Sequence, residues 1–122
     1  MLRRRLFFLT CLCCFATSAV LAQDVETVAG GPETHKVLVD NDQVRVFDIR
    51  FQPGQKVAMH SHPPTTTYYV TDCKMKLTGP DGKSQVAEIK AGTAFWRGDT
   101  THAAENVGTA ECHSTQTELK KK

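Results

Sequence analysis

Between residues 35 and 108 the chain is broken by Gly, Pro, Asn or Asp at intervals of about ten residues. The segments between the breaks are rich in Val, Ile, Thr and aromatic residues, and no helical periodicity runs through them. That punctuation admits a sandwich or small barrel of short strands and excludes a helical bundle. Strands are expected at residues 35–39, 44–51, 56–60, 66–71, 74–78, 84–89, 93–96, 102–107 and 111–119. Gly79-Pro80-Asp81-Gly82-Lys83 between two of these segments is the clearest hairpin. The fold class expected is all-β.

The first residues read differently. Arg3, Arg4 and Arg5 precede an almost unbroken apolar or small-residue run from Leu6 to Leu21, and Val20-Leu21-Ala22 carries small residues at the −3 and −1 positions of a cleavage site. This is the pattern of a secretory signal peptide cut after Ala22. An uncleaved anchor would need roughly 20 apolar residues, and the run is shorter. Acylation at Cys11, Cys13 or Cys14 is a weaker reading, because Thr10 is large for the position before a lipidated cysteine. The mature protein is expected to be periplasmic or secreted, with no membrane attachment after cleavage.

Removing the leader takes three arginines, so a formal charge of +2 becomes −1. The remaining basic cluster, Lys120-Lys121-Lys122, is a short solvated tail, and no basic stripe exists for nucleic acid. About 100 mature residues make one domain with one modest core. Residues 23–33 read as a flexible entry segment and 34–119 as the domain. Only Cys73 and Cys112 survive cleavage. An oxidising compartment would allow them one disulfide, and buried free thiols are the equal alternative. A thiol ligand at Cys73 would favour zinc or copper.

The chemistry concentrates in histidine. His60 and His62 stand two apart, so on a strand both imidazoles point to one face. His102, from a separate strand, would complete a site of three nitrogen donors. Imidazole suits zinc, iron, copper and nickel, whereas magnesium and calcium prefer oxygen. Gly54 lies six residues before His60, and Asn106 lies four residues after His102.

With these residues in place the chain resembles the cupin superfamily, whose first motif is G-x5-H-x-H-x3-4-E-x6-G and whose second is G-x5-P-x-G-x2-H-x3-N. Gly54, His60 and His62 match the first, and His102 and Asn106 match the second. The resemblance spans roughly residues 36–118. It is strongest to the small single-domain cupins associated with β-alanine degradation. It implies a jelly roll or double-stranded β-helix barrel, a divalent transition metal (iron, zinc or manganese) held by His60, His62 and His102, and a homodimer.

The departures matter equally. The motif's glutamate falls on Thr66 or Thr67, and its proline and second glycine fall on Arg97 and Asp99. The implied ligand set is three histidines without a carboxylate. Such a centre retains its positive charge and open positions, so it favours anionic ligands. Arg97 is the candidate to hold a substrate carboxylate. Tyr68 is expected on the inward face with Thr66 and Val70, if alternation continues from His62. Glu105 should face outward, and Asn106 is expected to bond a loop. Tyr69 and Trp96 are open between core, interface and cavity. His35 and His113 are expected to be surface histidines. Two functions remain open. One is an enzyme of oxygenase or Lewis-acid type acting on a small metabolite, with carboxylated compounds among the candidates. The other is a non-catalytic periplasmic cupin that binds or senses a small ligand, with or without metal.

Overall fold

The computed structural model describes residue 31 and residues 33–121. The leader assigned to residues 1–22 and residues 23–30 lie outside the described residues. Nine strands follow in order: β1 His35–Asp40, β2 Val44–Phe51, β3 Lys56–His62, β4 Thr65–Tyr69, β5 Cys73–Thr78, β6 Ser84–Ile89, β7 Ala94–Arg97, β8 Thr100–Asn106 and β9 Cys112–Leu119. They form two antiparallel sheets, ordered β1-β2-β9-β4-β7 and β3-β8-β5-β6. The protein is all-β, and no helix occurs among the described residues.

Alternation builds the core. On β2, Phe47, Ile49 and Phe51 point inward, and Val57, Met75, Ile89 and Ala104 of the other sheet meet them. On β9 the inward set is Cys112, Ser114, Gln116 and Glu118, all buried. Its ladder partners on β2 are Phe51, Ile49, Phe47 and Arg45 in turn. The buried face of this sheet is therefore apolar along β2 and polar along β9 and β4, where Thr65 and Thr67 are also buried. Burying that many polar side chains is tolerated only where they bond one another or a ligand.

A disulfide between Cys73 of β5 and Cys112 of β9 joins the two sheets, with their Cα atoms 4.9 Å apart. Bridged sulfurs are not thiolates, which removes Cys73 as a metal ligand. The 79–83 hairpin closes with Gly79 N–H donating to the Lys83 carbonyl at 2.9 Å. Gly82 within it takes φ = 78°, a conformation side chains resist.

Asn106 ends β8 and is 1% exposed. Its Nδ2 donates to the carbonyls of Phe51 and Ala110, and its Oδ1 accepts from Gly108 N–H, each at 2.9 Å. The motif asparagine is thus a loop clamp and does not face the cavity. Asn106→Ala would strand two carbonyls and one N–H, and a loss of about 3 kcal/mol is expected. Urea denaturation checks this; a loss below about 1 kcal/mol would contradict the clamp.

Candidate metal centre

The histidines reach one point because of a bulge. In the β3–β8 ladder Val57 pairs with Ala104, but His60 pairs with His102, so β3 carries one extra residue at Ala58–Met59. Val57 faces the core, and strict alternation from it would send His60 outward. The bulge reverses the phase, turning His60 and His62 inward and leaving Met59 exposed. It also presents the Ala58 carbonyl 2.6 Å from His60 Nδ1. A donated Nδ1–H there leaves His60 Nε2 with its lone pair free.

The three rings pack edge to face, with centroids 4.6 Å (His60–His62), 4.9 Å (His60–His102) and 5.2 Å (His62–His102) apart. One donor atom from each lies within 4.8 Å of the others. Three points at that widest spacing surround a centre about 2.8 Å away, against about 2.1 Å for a metal–imidazole bond, so a small ring movement suffices. Among the described residues, His60 Nε2 and His102 Nδ1 are buried without a hydrogen-bond partner. Each such atom costs about 1–3 kcal/mol when left unmet. The three-histidine cluster is compatible with metal binding.

Burial, then the neighbouring imidazoles, pushes His102 down to about 4. His60 is lowered chiefly by burial, against the opposing Ala58 carbonyl. His60 and His102 are therefore held toward the neutral form, which is the form that ligates.

Around the cluster lies a cavity of about 60 Å³. Its walls include Ile49 and Met75 on the apolar side, with Thr67, Tyr69, Gln116 and Arg97 on the polar side. Arg97 stands opposite Thr65 in the β4–β7 ladder, and Thr65 stands opposite Glu118 in the β4–β9 ladder, so all three share the inner face. Burial raises the Tyr69 hydroxyl, with the nearby Arg97 charge opposing.

Two expectations are corrected. Tyr68 is 48% exposed and turned outward, while Thr65, Thr67 and Tyr69 face inward. The chain leaves one sheet after His62 and enters the other at Thr65, so the alternation of β3 does not carry across Pro63-Pro64. His35 is not a surface residue. It is 5% exposed, lines the cavity, and sets its ring edge to face with Phe47, Phe51 and His60. Its position follows from the ladder, where it pairs with the inward Ile49. Burial, reinforced by the three cluster imidazoles, lowers it to about 4. His113, by contrast, lies on the outer face, half-buried against Asp48 at 2.6 Å. Glu105 faces outward and pairs with Lys56 at 3.4 Å, and Trp96 is 62% exposed.

Sequence reasoning missed Glu118 and Gln116. Glu118 Oε1 lies 2.7 Å from His62 Nδ1, both side chains being buried, and Gln116 Nε2 lies 3.1 Å from the same nitrogen. The signal was present in the i, i+2 set of Ser114, Gln116 and Glu118 on a strand whose other inward residue is a buried cysteine.

A family model for the cupin domain matches residues 47–115, more than half of the chain. Among solved structures, a cupin-domain protein of Bordetella pertussis Tohama I is 26% identical with a TM-score of 0.67, covering 71% of this chain and 92% of that one. A double-stranded β-helix protein of Klebsiella pneumoniae is 21% identical with a TM-score of 0.55, covering 72% and 84%. An RmlC-like cupin family protein of Methanocaldococcus jannaschii is 16% identical with a TM-score of 0.57, covering 71% and 81%; these last two speak to the fold alone. No curated protein matches the chain in sequence. With the family match spanning both sheets and the histidine cluster inside the barrel, this chain belongs to the cupin domain family.

Proposed function

We propose that this protein is an exported cupin whose His60, His62 and His102 hold a divalent transition metal, iron, zinc or manganese, and act with it on a small carboxylated metabolite. The observation that carries the reading is the pair of buried, partnerless nitrogens on His60 and His102 within a cluster of three imidazoles. When bound, the ion would supply Lewis acidity or dioxygen activation.

The chain's own residues bind and orient. Arg97 at the cavity wall offers a planar fork to a carboxylate. Ile49 and Met75 give the cavity wall apolar surface. A free space of 60 Å³ holds about four waters, so the ligand is restricted to a few heavy atoms. Export is supported by the Cys73–Cys112 bridge, since disulfides persist in oxidising compartments. A homodimer is supported by the exposed Trp96, Tyr68 and Val39 on the outer face of the five-stranded sheet.

Thermal unfolding in the presence of Fe²⁺, Zn²⁺ or Mn²⁺ tests the centre. At 100 times the dissociation constant a specific metal is expected to add about 2.7 kcal/mol of stability. The gain should vanish in H60A/H62A. A wild-type protein that none of the three ions stabilises would overturn the reading.

A further inference from the structure

We infer that Glu118 is the positioning residue of the centre: it sets the tautomer and ring orientation of His62 from β9, the strand beside the one where the cupin motif would carry its glutamate. The inference rests on the metal-centre reading above. On β4 the inward positions are Thr65 and Thr67, whose hydroxyls are poor substitutes for a carboxylate. Thr65 pairs directly with Glu118, so the carboxylate stands on the same inner face at the same level of the neighbouring strand, and it reaches His62 Nδ1.

Two groups compete for His62 Nδ1. The Gln116 amide nitrogen, 3.1 Å away, can only donate, and it would leave Nδ1 as the acceptor with the proton on Nε2. The Glu118 carboxylate, its Oε1 2.7 Å away, is placed to accept, and it holds the proton on Nδ1. The Glu118 bond is the shorter, 2.7 Å against 3.1 Å, so Glu118 decides the outcome. The Gln116 amide is held near the ring by Thr67, whose hydroxyl donates to Gln116 Oε1 at 3.3 Å. With Nδ1 protonated, His62 Nε2 carries a lone pair and becomes the ligating atom. Without Glu118, the Gln116 amide selects the tautomer that cannot ligate through Nε2. A buried carboxylate with this consequence is a costly feature for a barrel to carry for packing alone.

The experiment uses full mature protein, wild type and E118Q, with E118D as the conservative variant. Two quantities are read: Zn²⁺ affinity by chelator competition, and the His62 tautomer in metal-free protein by nitrogen NMR. The expected result is a Nδ1–H tautomer in wild type, a shift toward Nε2–H in E118Q, and 10- to 100-fold weaker Zn²⁺ binding in E118Q with partial recovery in E118D. An Nε2–H tautomer in wild type, or E118Q affinity within twofold of wild type, overturns the inference. If E118Q does not fold, the wild-type tautomer and the E118D affinity decide it. Wild-type protein that binds no metal but shows the Nδ1–H tautomer would defeat the metal-centre reading and leave the orienting role of Glu118 standing.

Discussion

Replacing the bridge with C73A/C112A is expected to lower the unfolding free energy by about 4 kcal/mol. The two half-cystines are 39 residues apart, and closing a loop of that length in the unfolded chain costs about 4 kcal/mol of entropy. The core the bridge supports is small, so the loss is a large share of the roughly 5–15 kcal/mol of an ordinary domain. It also staples β5 to β9, the strand that delivers Ser114 and Gln116 to the cavity and Glu118 to His62. Equilibrium denaturation of oxidised wild type beside the double variant measures the difference. Equal midpoints would contradict a stabilising role.

The second large effect is a loss of stability in mild acid for the metal-free protein. His35 and His102 are lowered to about 4, and His60 is lowered as well. The unfolded chain binds protons at His35 and His102 from about pH 6.5 downward, whereas the folded chain refuses them there until about pH 4. Stability is therefore full above pH 6.5 and declines as the pH falls through that window. For the 5%-exposed His35 alone, the decline between pH 7.5 and 4.5 is about 2.5 kcal/mol, with His60 and His102 acting in the same direction. The paired carboxylates, such as Asp48 beside His113 and Asp72 beside Ala91 N–H and Lys90, are held below their usual range, so they lose their contribution only in stronger acid. Urea titrations at pH 7.5, 6 and 4.5 on chelator-treated protein separate the two windows. A flat profile from 7.5 to 4.5 would contradict neutral, buried imidazoles.

Much of the fold was legible because turn residues and β-rich segments are local signals. The strands at 44–51 and 84–89 have the bounds read from the sequence. The cluster of His60, His62 and His102 was legible from spacing and motif, and Asn106 as a loop partner from its place after His102. What was not legible is phase and partnership across sheets. The bulge at Ala58–Met59 turns His60 inward against the phase of Val57, and nothing in the local sequence announces it. Tyr68 was placed inward by carrying alternation through a change of sheet, which exchanged it for Tyr69. His35 looked remote because it is 25 residues from His60, yet the β1–β2 ladder lays it beside Ile49 and the cavity. Glu118 is 56 residues from His62, and the two meet only because β9 of one sheet faces β3 of the other across the barrel. Ladder register is a long-range property, and a single chain read left to right does not contain it in local form.

The most direct measurement is elemental analysis of the protein expressed with its own leader and purified without a histidine tag, beside H60A/H62A. Near one equivalent of a transition metal in the wild type, lost in the variant, is the expected result. Wild-type protein that holds no metal, even after reconstitution with iron, zinc or manganese, would contradict the metal centre and leave a barrel that binds its ligand through Arg97 and the cavity walls alone.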